Sequence, residues 1–435
     1  MATTADHSQT AAERLITATI AATWLLWLIG GLYIAGPVLG WLLAILVFAE
    51  IYLGRKRLAD VGLALWLWIA AMSAMLVILW IGHVNAALGA GQTLKSSVGW
   101  AKGWALLALF PLAGAVLDIR FAVIARAVCR LGMWTLLLIP VFAAAPFIGL
   151  PGTLWVSPLQ VIGGAGPEFF AVTLYTVEPG VGTPRWQFFA PWSPAVGLVA
   201  LLYIFIAAQE ETIKWRLWGI AGFAAIALLS QSRLAIAALI LIAPAVWLVA
   251  RIDRGWAWWL AVPLVLTVGL LGPELSTVAE RVADNFTSAR ADSSRVRAAL
   301  ARIALDRWQN EAFWFGHGTV ENGPHLVEYM PIGSHHSWFG LLFVKGLAGA
   351  AALAIPMGVT LCQLGLKASR GEVEKAGFAL MLILFLYSFG ENLEILAYLF
   401  WPALVVIGIA LSKVPKGSAS RHQRSISGAI LQPSV

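Results

Sequence analysis

Charge is what this 435-residue sequence has least of: Asp, Glu, Lys and Arg together make up 12% of it. A soluble domain carries roughly a quarter, so an ordinary water-soluble globule of this size is excluded. Cysteine is nearly as scarce. Cys129 and Cys362 are the only two; they form no ligand spacing, and both fall near expected inward-facing helix ends, so no disulfide is expected. There is no Walker-type phosphate loop, no GxGxxG fingerprint and no serine-nucleophile elbow, which argues against a cytoplasmic nucleotide substrate. No solenoid repeat or low-complexity tract occurs. Residues 1–13 are polar and the first apolar run is long enough to span a bilayer, so no cleaved signal peptide is expected.

What the chain does have is apolar surface. Hydrophobic residues make up 60% and the mean hydropathy is +0.82. A membrane span needs about 20 mostly apolar residues. Reading for such runs gives twelve, at 15–35, 37–53, 61–82, 98–117, 132–150, 192–208, 215–230, 234–250, 256–273, 336–364, 376–390 and 394–412. The seventh and eighth are separated only by Gln231, Ser232 and Arg233 and read as a tight helical hairpin. Many of the 22 Trp residues sit near run ends (Trp24, Trp80, Trp100, Trp155, Trp192, Trp215 among them), as an interfacial aromatic belt requires.

The net charge of +7 could suggest nucleic acid, but its placement points to topology instead. With a cytoplasmic N-terminus, every inner segment holds positive charge: Arg14; Arg55, Lys56 and Arg57; Arg120, Arg126 and Arg130; Lys214 and Arg216; Arg251 and Arg254; Lys367, Arg370 and Lys375; and the tail from Lys413. That is the positive-inside pattern, and it puts both termini in the cytoplasm. The expectation is an all-α polytopic membrane protein with about twelve transmembrane helices, a single integral membrane domain over 1–435. It would have two long periplasmic loops, 151–191 and 274–335, and a basic cytoplasmic tail, 413–435. The first loop has aromatic residues suited to headgroup depth. The second contains an amphipathic helix candidate at 294–310, with Asp292 or Ser293 as N-cap and Val296, Leu300 and Ile303 on one face.

Against the positive-inside trend, the outer segments retain an excess of Arg over Lys, including Arg185, Arg233, Arg295, Arg297, Arg302 and Arg307. Arg presents a planar, permanently charged fork that grips phosphate oxygens two at a time. An outer-leaflet site lined by Arg therefore suggests a lipid phosphate or diphosphate. Each residue also has a plainer reading. Arg185, in PRWQFFAPWSP, could be a snorkelling interfacial anchor. Arg233, in SQSR, could be a helix cap, although a lone Arg in a long apolar stretch is costly. Arg295 and Arg302, seven apart, could be a solvated helix face. His335 and His336, in GSHHSWFG, stand where the last long loop enters a span, and histidine suits general-base work near neutral pH. They could equally be an interfacial hydrogen-bonding pair. A metal site from His317, His325, His335 and His336 lacks any helix-type ligand spacing. Lys345, deeper in the same run, needs a carboxylate or a polar pocket.

In order and placement these motifs resemble the O-antigen ligase and polymerase superfamily over roughly residues 180–350. RWQFFAPWSP resembles the family's Arg ahead of a span, QSRLAIAAL its Ser-Arg pair at a span start, ADSSRVRAAL its Arg opening a periplasmic helix, and FWFGHGTVENG its Gly-rich step. The ligase motif places a His eleven residues before a Gly that is followed three residues on by Gly, Thr or Tyr; Gly346 and Gly349 point back to His335. The next residue, His336, departs from the motif's Asn, Ser or Gln. Starting from His336 gains Ser337 but sets Leu347 where Gly belongs, so both histidines stay open as the base.

The resemblance implies transfer of a glycan from undecaprenyl diphosphate to the lipid A–core oligosaccharide on the periplasmic face of a bacterial inner membrane. Arg185, Arg233 and Arg295 would bind the donor diphosphate, Arg302 would add a further phosphate contact, and His335 or His336 would be the base. It implies neither metal nor cofactor. Three rivals are an O-antigen polymerase with the same donor, a protein O-oligosaccharyltransferase and a lipid-linked glycan transporter. The short tail speaks against the second. The third predicts polar groups near the bilayer midplane, whereas here they cluster outside.

Overall fold

The computed structural model describes residues 8–57, 61–164, 166–177, 182–254 and 291–413, with the side chains of Arg233 and of residues 291–294 outside that description. The ninth apolar run (256–273), the first part of the second long loop and the tail beyond Lys413 lie outside the described residues. The chain is mostly helical. Helices run Ala11–Ala21 (α1), Thr23–Leu28 (α2), Leu32–Tyr52 (α3), Leu63–Asn85 (α4), Gly89–Lys102 (α5), Leu106–Val116 (α6), Phe121–Ala144 (α7), Ser193–Ala207 (α8), Ile213–Leu229 (α9), Arg233–Val249 (α10), Ala291–Glu311 (α11), Ser337–Lys367 (α12), Glu372–Tyr387 (α13) and Leu393–Leu411 (α14). Between α7 and α8 the Gly- and Pro-rich segment forms four short strands, Thr153–Val156 (β1), Ala171–Thr173 (β2), Tyr175–Val177 (β3) and Pro184–Trp186 (β4), in two antiparallel pairs, β1 with β2 and β3 with β4.

Six helices among the described residues are long and apolar enough to cross a membrane: α3, α4, the stretch Gly89–Val116 that joins α5 to α6, α7, α12 and α14. The fold is therefore that of an all-α membrane protein, but the expected count of about twelve is not reproduced by helix length. The reason is physical. Apolar runs mark burial, and burial here is shared between lipid and neighbouring helices. α8, α9, α10 and α13 have 15, 17, 17 and 16 residues, short of the ~20 a full span uses. The first run is divided at Ala22 into α1 and α2. A second correction concerns α11: its helix already includes Asp292 and Ser293, so neither is the N-cap. Val296 and Leu300 are buried and Ile303 packs against them.

α14 is the post around which the rest is arranged. Of its most apolar stretch 89% is buried, against 39% for α3, α4 and α7, so it faces protein where they face lipid as well. It packs on α6, α13, α3 and α8. Glycines let α6 and α14 touch: a Cβ on Gly408 would lie 2.0 Å from the Pro111 carbonyl oxygen, and one on Gly114 would lie 2.1 Å from that of Val405. Small residues at such crossings replace the hydrophobic drive that helices lose in lipid. At the basic ends of the bundle Glu13, wholly buried, pairs with Arg120 at 2.7 Å, and Glu210 pairs with Arg126 at 2.6 Å. These pairs tie α1 to α7 and α7 to the α8–α9 turn.

One helix is broken. Inside α12, Gly346 has φ 61° and ψ −164°, a conformation that only glycine adopts without strain. The backbone groups the break exposes are met by the Gly-rich segment after α11. His317 N donates to Phe343 O, Gly318 N to Val344 O, Leu347 N to Phe313 O and Ala348 N to Trp314 O, all at 2.9–3.1 Å. A helix interruption in an apolar setting is tolerated only with such replacement. Gly346→Ala should therefore cost about 1–3 kcal/mol for the forced positive φ, with more from a Cβ only 2.4 Å from the Trp314 carbonyl carbon. Thermal unfolding of the detergent-solubilised protein checks this against Gly358→Ala in the same helix, whose Cβ meets nothing within 4 Å and which should leave the midpoint unchanged or raised.

Candidate active site

The polar groups converge on the turn 388–392 between α13 and α14. The turn is held from the opposite side by the entrance of α12. Ser337 N donates to Ser388 O at 3.0 Å. The Ser337 hydroxyl donates to Glu391 O at 2.6 Å and accepts from Leu393 N at 3.0 Å. Trp338 Nε1 donates to Ser388 Oγ at 2.8 Å. Glu391 N closes the turn on Tyr387 O at 2.8 Å.

That anchorage positions the two histidines differently. His336 is the N-cap of α12: its Nδ1 accepts from Phe339 N at 3.3 Å and its ring stacks on Phe339 with centroids 3.8 Å apart. His335 has φ 63°, a left-handed conformation that costs a non-glycine residue energy and marks a position held by its surroundings. Its ring and that of Trp192 meet in a T-shaped arrangement, centroids 6.3 Å apart. The indole Nε1 of Trp192 donates in turn to Glu391 Oε2 at 2.8 Å, so His335, Trp192 and Glu391 form one packed row.

The arginines approach from other elements. β4 pairs with β3 so that Arg185 lies opposite Thr176. Next to it, Trp186 donates to Phe142 O at 2.7 Å, which fixes the pleat and turns Arg185 to the other face. Arg185 Nη2 donates to Ser230 O at 3.3 Å. Ser230 is the C-cap of α9, and Arg233 is the first residue of α10, capped by the Ser232 side chain. Arg185 is thus brought to the turn that carries Arg233. The same turn abuts 388–392: Leu234 packs on Gly390 and the Ser232 hydroxyl faces that of Tyr387.

α11 carries Arg295, Arg297 and Arg302, all three exposed. Among the described residues the charge felt at His335 and at Glu391 comes from Arg297. Arg295 and Arg297 leave the helix on opposite flanks of its buried stripe, because two residues turn a helix by about 200°.

Burial governs the electrostatics. Desolvation, with Arg297 adding to it, holds the His335 imidazole down at about 4 from an ordinary 6.5, so it is neutral at pH 7. Desolvation pushes the Glu391 carboxyl up to about 7 against the Trp192 hydrogen bond and the Arg297 charge, which favour ionisation. Lys345 is buried, and its ammonium interacts with the Glu394 carboxylate and with His83. His317 is fully engaged: Nδ1 meets Phe343 O at 3.0 Å and Nε2 meets Glu311 Oε2 at 2.8 Å. His325 is exposed beside Tyr329. Among the described residues no three His, Cys, Asp or Glu stand together as a metal would need.

Glu391, Trp192 and Arg297 were not singled out in the sequence as site residues. A signal for the first existed: Glu391 and Glu394 are the only charged residues between Lys375 and Lys413, and a carboxylate in such a stretch is costly enough to call for a reason.

Taken together, the fold and the site define a polytopic helical membrane protein with a cationic, histidine-bearing cluster where several helix ends meet. Residues 218–354 match the family described as O-antigen ligase. The matched segment is about a third of the chain, from within α9 to just past the middle of α12, and is consistent with a member of the O-antigen ligase superfamily. It contains Arg233, α11, both histidines and the Gly346 break; Arg185 and Glu391 lie outside it. No curated protein matches the chain.

The His335 shift carries a stability prediction. Its folded value is depressed, so the unfolded chain binds more protons between pH 6.5 and 4 and stability is lost as pH falls through that window. The wild type should lose thermal stability more steeply over that range than His335→Gln; parallel curves would remove the burial assigned to this ring.

Proposed function

We propose that this protein transfers a glycan from undecaprenyl diphosphate to the lipid A–core oligosaccharide at the periplasmic face of a bacterial inner membrane. The observation that carries the reading is the convergence of Arg185, the Arg233 turn and His335 around residues 388–392, combined with the family match over 218–354. In this reading the chain is one integral membrane domain with both termini cytoplasmic.

The chemistry asks little of the donor, because a diphosphate is already a good leaving group. Arg185 and Arg233 hold it and take up the negative charge that grows as the anomeric C–O bond breaks. Fixed cations in a low-dielectric site do this without reorganising, and the guanidinium fork matches the phosphate oxygens. His335, neutral at pH 7, accepts the proton of the acceptor hydroxyl as that oxygen attacks from the opposite side. The anomeric configuration inverts, the glycan is bonded to the acceptor, and undecaprenyl diphosphate departs with the bonding electrons. Arg295 and Arg302, exposed on α11, face phosphates of the donor or the phosphorylated core. Positive charge supplied by arginine makes a metal unnecessary for this step.

The test is a reaction of purified protein with undecaprenyl-diphosphate O-antigen and rough lipopolysaccharide, without nucleotide or added metal. A ladder on lipid A–core is expected. Arg233→Ala should lower its rate by about 10²–10³-fold, the usual cost of losing one charge-stabilising donor, with the protein still in the membrane fraction. His335→Ala should abolish the ladder and His336→Ala should reduce it less, since His336 is occupied in capping α12. Chains that lengthen on the undecaprenyl carrier would make the protein a polymerase, and full activity of Arg233→Ala would remove that arginine from the mechanism.

A further inference from the structure

One ionisable side chain at the turn has no part in the mechanism above. Glu391 is 1% exposed, and its carboxylate accepts the Trp192 indole N–H. A structural acceptor for one indole would be served by an amide or a backbone carbonyl at a smaller desolvation cost. A carboxylate in that position needs another reason.

Its surroundings narrow the choice. α8 faces it with Trp192. α11 faces it with the positive charge of Arg297, and α13 with the Tyr387 hydroxyl. The entrance of α12 brings His335, across the Trp192 ring, and Ser337, on the Glu391 carbonyl, with His336 between them. His335 is a neutral imidazole at pH 7, so the hydrogen bond from Trp192 is the geometric tie on the carboxylate. Trp192 is thus gripped at its N–H by Glu391 and walls His335 with its ring. The charge of Glu391 and the orientation of His335 are linked through one indole.

We propose that Glu391 is a positioning residue for the transfer reaction: as a carboxylate it fixes the Trp192 ring against His335, and on protonation it loosens that grip. The inference rests on the transfer reading above. The physical basis is that an ionised acceptor binds an N–H roughly twice as strongly as a neutral one. Because burial sets the Glu391 carboxyl at about 7, the linked change falls within the physiological range. Activity should rise with pH as the carboxylate forms.

The experiment is the pH profile of glycan transfer from pH 5.5 to 9 for wild type, Glu391→Gln, Glu391→Asp and Trp192→Phe, with membrane abundance and thermal stability measured alongside. The wild type should show an inflection near pH 7. Glu391→Gln keeps an oxygen for Trp192 but not the charge. Its kcat should fall about tenfold or more through misorientation of the base, its donor KM should stay unchanged, and the inflection should vanish. Glu391→Asp should recover part of the rate together with a pH inflection. Trp192→Phe removes the N–H through which the carboxylate acts on His335, so it too should lose the inflection; this variant keeps the test sharp if Glu391→Gln folds poorly, and an unchanged inflection in it overturns the link. A Glu391→Gln enzyme with wild-type kcat and an unchanged profile overturns the role of Glu391 and leaves the transfer reading standing. A wild type that transfers to neither acceptor overturns the transfer reading, and the proposal with it.

Discussion

The Ser337 hydroxyl binds two strands of chain that would otherwise part. It donates to Glu391 O and accepts from Leu393 N, so the start of α12 and the start of α14 share one oxygen. Everything at the site hangs from that junction. His335 precedes it by two residues and is forced into a left-handed conformation. Glu391 is turned inward by the same bond that holds its carbonyl. The turn so fixed also supports the start of α10, where Arg233 stands. A bilayer makes such a junction necessary, because polar backbone at its margin has few water molecules to satisfy it. It also makes the junction strong, because competing water is scarce.

A second constraint works on α12 from below. The break at Gly346 lets residues 313–318 dock by four backbone hydrogen bonds, and the chain that docks there is the continuation of α11. The register of that docking therefore decides where Arg297 lies relative to His335. Arg307 reinforces it, bound to Glu311 at 2.9 Å and Glu321 at 2.6 Å with its guanidinium over the Phe343 ring. The amphipathic helix α11 is thereby attached to a fixed point of the bundle.

These features show what a sequence exposes and what it hides. Apolar runs located the helices well, since lipid and core both select for them, but run counting could not tell a full span from a 16-residue helix packed among neighbours. Val296 and Leu300 were legible because a helical stripe repeats. The electrostatic bearing of Arg297 on His335 was not, because it depends on docking far along the chain. The Gly346 spacing pointed to His335 through a resemblance, whereas the physical content of that glycine, a helix break filled by FWFGHG, is visible only in three dimensions. The short strands went unseen because three-residue ladders leave no periodic signal. Glu391 was visible as an isolated acid, yet its meaning comes from Trp192, about two hundred residues earlier in the sequence.

The central claim is that elements from four regions of the chain build one site for a lipid diphosphate. Binding of undecaprenyl diphosphate to the purified protein, measured by native mass spectrometry in parallel with undecaprenyl alcohol, tests it most directly. The account predicts that the diphosphate binds the wild type, that the alcohol binds far more weakly, and that Arg185→Ala combined with Arg233→Ala abolishes the difference. Equal binding of the two lipids by the wild type, or an undiminished preference in the double variant, would contradict it.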